Sequence, residues 1–264
     1  MILDSHRHFW KYTREEFGWI ESPTLKRDFL PAGCGEMDDC IAVEARQSLR
    51  ETEWLLELAR EYDFIKGVVG WLAIAAEDFP RQLEKFEAEE KLVGLRHVVQ
   101  DEPDDEFILG TNFNRGVKHL LSRAYTYDIL VFERHLANSI KFVDSHKSDA
   151  RLVVDHLAKP RNFETWRKSI KELAKRQNVY CKLSGLVTEV GTTSPEALSP
   201  YLDTALEAFG ANRVMFGSDW PVVTSMMEYD EWKDIFLGFV SRLSADEQTA
   251  IMGGNARRFY GVSS

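Results

Sequence analysis

The chain has 264 residues, of which 44% are hydrophobic and 29% are charged, as is typical of a soluble globular protein with a substantial core. Its formal net charge is −10 and its basic residues are scattered, which argues against nucleic acid as a partner. No window holds the roughly 20 apolar residues of a membrane span, and polar residues appear too early for a signal peptide. We therefore predict a cytoplasmic protein that binds neither membranes nor nucleic acid.

Three cysteines, Cys34, Cys40 and Cys181, are spread along the chain. Their odd number and wide spacing favour reduced thiols over a disulfide framework. Cys40 opens an apolar run and Cys181 lies within one, so both are expected to be packing residues rather than nucleophiles.

The predicted elements alternate between strand and helix along the whole chain. A short strand opens at residue 1, and a loop from 10 to 38 follows, long enough to suggest a functional lid. The later apolar runs predict strands at 40–47, 64–74, 92–100, 127–132, 151–160, 178–186 and 213–219. Helical spacing of apolar residues predicts helices at 51–62, 79–90, 113–126, 133–148, 164–176, 195–210 and 228–242, with a shorter one from Asp246.

Eight apolar runs that are each followed by a helical segment indicate parallel strands, and eight such units close a barrel. The sequence therefore predicts an α/β fold, a single (β/α)₈ TIM-type barrel domain over residues 1–264. An open doubly wound sheet is the main alternative. It is disfavoured because no glycine-rich phosphate loop follows the first strand.

Polar and aromatic side chains lie at most of the predicted strand ends, where barrel enzymes carry their active sites. Taken singly, Glu44, Asp155 and Lys182 are expected to be solvated strand ends or members of salt bridges. Taken together, the side chains at these ends are expected to converge on one pocket. The set is His6, His8, Glu44, Arg46, Trp71, Arg96, His97, Asp155, His156, Lys159, Lys182, Ser184 and Asp219. The remaining histidines fall on predicted helices and are expected at the surface: His119, His135 and His146.

The pair formed by His6 and His8 is the strongest local signal for a metal. Because side chains alternate along a strand, both imidazoles project to one side and can face one ion. Imidazole suits Zn, Fe and Ni, and further ligands must come from elsewhere in the chain. Two polar residues at an exposed strand end are the alternative interpretation.

Five segments resemble one protein family: DSHRHFW at 4–10, GLRHVVQDEPD at 94–104, VDHLAKP at 154–160, KLSGL at 182–186 and FGSDWP at 216–221. They resemble the amidohydrolase superfamily, and within it the branch of sugar-acid lactonases, which includes L-fuconolactonases and L-rhamnonolactonases. The resemblance covers essentially the whole chain. It is specific for the superfamily and less so for the substrate.

The resemblance implies a distorted (β/α)₈ barrel with a mononuclear site for one divalent metal ion, Zn²⁺ as first choice. The carried-over ligands are His6, His8, His156 and Asp219, and Glu44 is a further candidate ligand. The carboxylated lysine that bridges two metals in binuclear members has no counterpart, which argues against a second ion. Some members of the branch work without a metal, so the resemblance leaves open whether the ion is required or dispensable.

The expected reaction is hydrolysis of a small-molecule lactone to the open aldonic acid. Asp219 is the predicted general base, and His156 and His97 are the predicted catalytic polarisers of the carbonyl. The chain has no serine in a nucleophile elbow, which disfavours a covalent serine mechanism. The predicted substrate-binding residues are Arg46, Trp71, Arg96, Lys159 and Trp220.

Two other functions stay open on the sequence alone. Metal-dependent non-oxidative decarboxylases of the same superfamily resemble this arrangement of histidines and aspartate. A catalytically silent binding protein on a barrel leaves the clustered ionisable strand ends unexplained. A homodimer is compatible with the apolar helix faces.

Overall fold

Eight parallel strands form one nearly closed barrel in the computed structural model of the protein, which describes residues 2–33 and 38–263. Each strand pairs with the next in sequence order. The strands are β1 (Leu3–Arg7), β2 (Asp39–Val43), β3 (Ile65–Gly70), β4 (Leu92–Val98), β5 (Thr126–Leu130), β6 (Leu152–Val154), β7 (Val179–Leu183) and β8 (Val214–Phe216). The predicted (β/α)₈ barrel is confirmed, and the alternative of a doubly wound sheet is wrong.

The helices pack their apolar faces onto the outside of this barrel. Helix α7 begins at Pro195 after its cap Ser194 and ends before Gly210, which has the positive φ of 73° that glycine tolerates. The α-helices of the described residues are α1 (Leu49–Glu61), α2 (Phe79–Glu84), α3 (Thr111–Ser122), α4 (Leu136–Asp144), α5 (Phe163–Leu173), α6 (Leu186–Val190), α7 (Pro195–Phe209), α8 (Tyr229–Val240), α9 (Ala245–Thr249) and α10 (Asn255–Tyr260).

Strands β2 to β8 all end earlier than their apolar runs predicted, and β6 shows the largest difference. The run at 151–160 is extended only over Leu152–Val154 and then enters a 3₁₀ turn, Asp155–Ala158. From His156 to Lys159 the φ angles are 50°, 54°, 58° and 50°, so four consecutive non-glycine residues are left-handed. That conformation costs roughly 1–2 kcal/mol per residue. The surrounding contacts must therefore hold this turn.

The barrel interior is apolar at one end and polar at the other. Leu3, Val153 and Met215 pack inside with Phe259 and Tyr260 of α10, which close the end where the strands begin. The larger hydrophobic cluster lies between strands and helices. Polar side chains are thereby left to the carboxyl ends of the strands.

The loop between β1 and β2 has a small core of its own. Trp10 and Phe29 exchange backbone hydrogen bonds of 3.0 and 2.9 Å, and Phe17, Ile20 and Leu25 are buried beside them. Trp19 of the same loop is 46% exposed. The described part of this loop is therefore compact and packed on its own hydrophobic residues rather than extended.

The buried positions correct one expectation and support another. His135 was expected at the surface but is 1% exposed, because its ring nitrogens contact Asp105 Oδ1 (2.9 Å) and the backbone N of Phe132 (3.2 Å). Cys40 and Cys181 are fully buried, as expected of packing residues. Cys34 lies outside the described residues.

None of the helices in the described ranges combines the length and hydropathy that a bilayer crossing requires.

Candidate active site

His6 and His8 both face the carboxyl end of the barrel interior. The register of β1 on β2 shifts between Asp4 and Arg7, the segment that contains His6. The Nε2 atoms of the two rings lie 3.2 Å apart. His8 Nε2 is 3.3 Å, and His6 Nε2 is 3.8 Å, from Asp219 Oδ1.

The tautomer of His8 follows from its hydrogen bond to the backbone. His8 Nδ1 lies 2.8 Å from the carbonyl oxygen of Val43, which can only accept. Nδ1 therefore carries the proton and donates it to Val43. The lone pair of Nε2 is left facing His6 and Asp219, as in metal-binding histidines whose second nitrogen is fixed by a carbonyl.

His156 and Asp219 approach this pair from two backbone positions with positive φ, 50° and 59°. His156 Nε2 is 3.9 Å from Asp219 Oδ1, and His156 Nδ1 is 2.9 Å from Ser184 Oγ. Gly185, with φ 65°, lies against both groups. A Cβ at Gly185 would be 2.6 Å from His156 Nδ1 and 3.2 Å from Asp219 Oδ2, so only glycine fits there.

Burial sets the charge states of the cluster. It lowers the pKa of His156 to about 4, although Asp219 acts in the opposite direction. Burial and the neighbouring Lys182 likewise hold the pKa of His6 well below its usual value. Burial alone would raise the pKa of Asp219, but His156, His8 and His6 outweigh it and lower that pKa. Asp219 is thus an ionised carboxylate facing the neutral imidazoles of His6 and His156.

This donor set fits a small divalent ion. Bonds of about 2.0–2.1 Å in a tetrahedral zinc site place neighbouring ligand atoms roughly 3.3–3.4 Å apart. The separations among His6, His8 and Asp219 lie close to that spacing. Within the described residues, His6, His8 and Asp219 form one candidate ligand group, and His6, Asp155 and His156 form another. Neutral imidazoles and a carboxylate are the protonation states that metal binding needs.

A buried ionic network supports the cluster from inside the barrel. Lys182 Nζ contacts Asp128 Oδ2 (2.5 Å), Asp155 Oδ1 (3.1 Å) and His6 Nδ1 (3.1 Å). Arg96 contacts Glu44 Oε1 (2.9 Å) and Asp155 Oδ2 (3.0 Å), and its Nη1 is 3.2 Å from His6 Nε2. These side chains are at most 4% exposed, so each charge is compensated by a partner rather than by water.

The cluster opens into a cavity of about 780 Å³. That size is typical of a site for a small molecule, for which about 300–1,000 Å³ is usual. The cluster contributes His8, Arg96, His156 and Asp219 to the lining. The surrounding loops and α6 contribute further polar and aromatic groups, among them Trp19, Glu21, Arg46, Asp101, Lys159, Arg161 and Glu189.

Several predicted site residues lie away from this lining. His97 follows Arg96 and therefore points to the opposite face of β4, where it stacks on Phe107 with ring centroids 4.9 Å apart. Its nitrogens contact Trp71 Nε1 (3.3 Å) and Glu102 Oε1 (2.6 Å). The indole N–H of Trp71 also lies 3.1 Å from Gln47 Oε1, so the ring is held by Gln47 and His97.

The side chains of Trp220 and Glu44 also contact other residues and do not line the cavity. The Trp220 ring packs against Phe9 and Phe29, with centroids 5.8 and 5.4 Å away. The Glu44 carboxylate is engaged by Arg96 and belongs to neither of the ligand groups found among the described residues.

Sequence reasoning missed other residues of the site. Asp128 interrupts an apolar strand, and that interruption was the available signal for the partner of Lys182. Trp19 and Glu21 belong to the long loop after β1. The sequence of a loop has no periodicity from which its contacts could be predicted. Glu189 is carried by α6, a helix of five residues, which is too short for periodicity to reveal.

The family comparison covers the whole barrel: the family model described as "Amidohydrolase" matches residues 3–262. An L-fucono-1,5-lactonase of Burkholderia multivorans is 40% identical over an alignment that covers 98% of this chain and 96% of that protein. The crystal structure of an amidohydrolase from Burkholderia multivorans with bound zinc has a TM-score of 0.94 at 40% identity and covers 100% of both chains.

A more distant likeness concerns the fold alone. The crystal structure of a dihydroxybenzoic acid decarboxylase from Polaromonas sp. JS666, with bound manganese, has a TM-score of 0.69 at 14% identity, covering 98% of this chain and 96% of that one. Because the family model spans nearly the whole chain and the lactonase is similar over its full length, the protein belongs to the amidohydrolase family.

Proposed function

We propose that this protein hydrolyses a sugar-acid lactone to the open aldonic acid. The observation that carries the proposal is the convergence of one ionised carboxylate, Asp219, with three imidazoles in a cavity of small-molecule size. The full-length similarity to an L-fucono-1,5-lactonase supports the same reaction and suggests a six-carbon aldonolactone or a close relative as substrate.

Asp219 is the general base of this proposal. Its lowered pKa keeps it ionised at neutral pH, so that it can accept a proton from a water molecule as the water oxygen bonds to the lactone carbonyl carbon. The carbon–oxygen bond of the ring then breaks. Asp219 returns the proton to the departing ring oxygen, and the products are a hydroxyl group and a carboxylic acid.

The negative charge that develops on the carbonyl oxygen needs fixed positive partners or donors. Arg96 Nη1 and the ring of His156 are the cavity-lining groups that can supply them. A divalent ion held by His6, His8, His156 and Asp219 would take over the part of the His156 donor, polarise the carbonyl and lower the pKa of water. Zn²⁺ is the ion we propose, because a structure 40% identical to this chain holds it.

The charges of the cavity suit an uncharged polyol better than an anion. Arg46 already forms a salt bridge with Glu16 (2.5 Å), and Arg96 is compensated by the buried network. The lining also carries four carboxylates, Glu21, Asp101, Glu189 and Asp219. A ring with several hydroxyl groups can bond to such a mixture of donors and acceptors without bringing a further charge into the cavity.

The test is an acid-release assay on a panel of 1,4- and 1,5-aldonolactones, with enzyme as purified and after chelation. Hydrolysis of at least one lactone well above its spontaneous rate is expected. Re-addition of Zn²⁺ and metal analysis of each sample show whether an ion contributes to the rate. Absence of hydrolysis on the entire panel by folded, zinc-loaded protein would refute the proposal.

Non-oxidative decarboxylation is the second candidate, favoured by the pairing of two histidines with Asp219 on a fold shared with a decarboxylase. It predicts carbon dioxide release from dihydroxybenzoic acids and complete loss of that activity on chelation. The cations of the cavity are already paired with carboxylates and are less available to an acidic substrate. We therefore rank decarboxylation below lactone hydrolysis.

The other assignments made from the sequence stay predictions. They are the cytoplasmic location, the homodimer and the treatment of residues 1–264 as one domain. Light scattering on the purified protein tests the dimer.

A further inference from the structure

One charged group on the cavity wall has no part in the chemistry described above. Lys159 Nζ lies 3.1 Å from Glu189 Oε1, and Arg161 Nη2 lies 3.1 Å from Glu189 Oε2. All three side chains line the same cavity as Asp219. The side chain of Glu189 is only 12% exposed, whereas that of Arg161 is 61% exposed. The inner part of this group is therefore the pair of Lys159 and Glu189.

The backbone fixes both members of the pair relative to the reacting centre. Lys159 ends the left-handed turn that begins at His156, so the strained segment that aims the imidazole also aims the ammonium group. Glu189 lies on α6, which starts directly after Gly185, the glycine in contact with His156 and Asp219. Strain of this kind persists where surrounding contacts hold a functional geometry.

The ion pair leaves bonding capacity on both partners. A carboxylate offers about four lone-pair positions and an ammonium group about three donors. Glu189 Oε2 is buried and makes no hydrogen bond among the described residues, although Arg161 lies near it. Lys159 makes one contact to Glu189 and lies 5.5 Å from the centre of the Phe132 ring. A ligand with neighbouring donor and acceptor groups can therefore bind without breaking the pair.

We propose that Lys159 and Glu189 form the subsite that recognises the ring hydroxyl groups of the lactone. Glu189 accepts a hydrogen bond from one hydroxyl, and Lys159 donates one to the same or the adjacent oxygen. This inference rests on the proposed lactonase activity and assigns to Glu189 the choice among sugar configurations. An uncharged vicinal diol matches the pair, because it supplies a donor and an acceptor and brings no charge.

The test compares Glu189→Gln with the wild type on the best aldonolactone of the panel and on its analogues that each lack one ring hydroxyl. For the parent lactone we expect kcat/KM to fall roughly 10- to 100-fold, the effect of a lost hydrogen bond to a charged group. The loss should appear mainly in KM, with kcat within about threefold, because this contact is made equally before and during reaction. For one analogue, wild type and variant should differ by less than about threefold.

Lys159→Gln provides a second, independent variant and should show the same dependence on one hydroxyl group. Glu207→Gln is the matched control, since Glu207 pairs with Lys171 (2.8 Å) on the outer helices and should behave as wild type. Equal losses on the parent lactone and on every analogue, or no loss on the parent, would overturn the subsite. Either outcome leaves lactone hydrolysis by the wild type intact, so the two proposals fail separately.

Discussion

Single residues of the site show how strongly position within a strand decides their role. Arg96 and His97 are neighbours in sequence, yet Arg96 contacts His6 inside the barrel while His97 stacks on Phe107 outside it. The sequence was sufficient to bring His156 and Asp219 to strand ends, because apolar runs stop there. It was not sufficient to orient His97, because side chains alternate along a strand and the sequence alone does not say which of Arg96 and His97 faces the barrel interior.

At this scale the decisive prediction concerns Asp219. Asp219→Asn should lower kcat for lactone hydrolysis roughly 100-fold or more, since an amide cannot take a proton from water. Steady-state kinetics on the best lactone, with product binding measured in parallel, checks it. Asp144→Asn, which changes a half-exposed carboxylate on α4 paired with Arg176, should keep the wild-type rate. An Asp219→Asn enzyme with unaltered kcat would remove Asp219 from the general-base role.

Elements differ in how far the sequence determines them. The amphipathic helices and the apolar strands follow from periodicity, and α5 and α7 lie within a few residues of their predicted ranges. The left-handed turn at 156–159 carries no glycine, so no residue preference announces it; tertiary contacts alone hold it. The long loop after β1 likewise shows its packing only in three dimensions, where the backbones of Trp10 and Phe29 pair with each other.

The exposed tryptophan of that loop gives the prediction at the level of elements. Trp19 lines the cavity and is 46% exposed, so we expect it to pack against the apolar face of a sugar ring. Trp19→Ala should raise KM for the best lactone roughly 3- to 10-fold, as expected for the loss of one aromatic contact. Trp19→Phe should retain most of the affinity. A KM for Trp19→Ala equal to that of the wild type would show that the ring does not contact substrate.

The molecule as a whole carries an excess of acidic groups and buries several of them. Among these, Glu51 is 1% exposed, accepts a hydrogen bond from the Ala45 N–H (2.8 Å) and lies near Arg46. Burial raises the pKa of Glu51 to about 8 from its usual value of 4.5, and the nearby Glu44 adds to the effect. Between these two values the folded protein keeps a proton that the unfolded chain releases. The free energy of unfolding must therefore fall as pH rises through this window.

Glu51→Gln removes the titrating carboxyl group. The free energy of unfolding of the variant should therefore decrease less with rising pH than that of the wild type. From pH 5 to pH 8 the wild type should lose stability relative to the variant, by at most about 1.4 kcal/mol per pH unit. Urea unfolding of both proteins at several pH values measures the difference. Glu53→Gln, an exposed position two residues further on the same helix, should follow the wild type. A constant difference between wild type and Glu51→Gln over this range would contradict the assignment.

The seam of the barrel lies within the candidate site. The first and last strands meet through hydrogen bonds from Asp219 N to His6 O (2.9 Å) and from His8 N to Trp220 O (2.7 Å). More than 200 residues separate these partners along the chain. During synthesis the growing polypeptide therefore contains His6 and His8 long before it contains Asp219. The site is assembled only when the eighth strand has been made, so truncated products of the gene would be chemically inert.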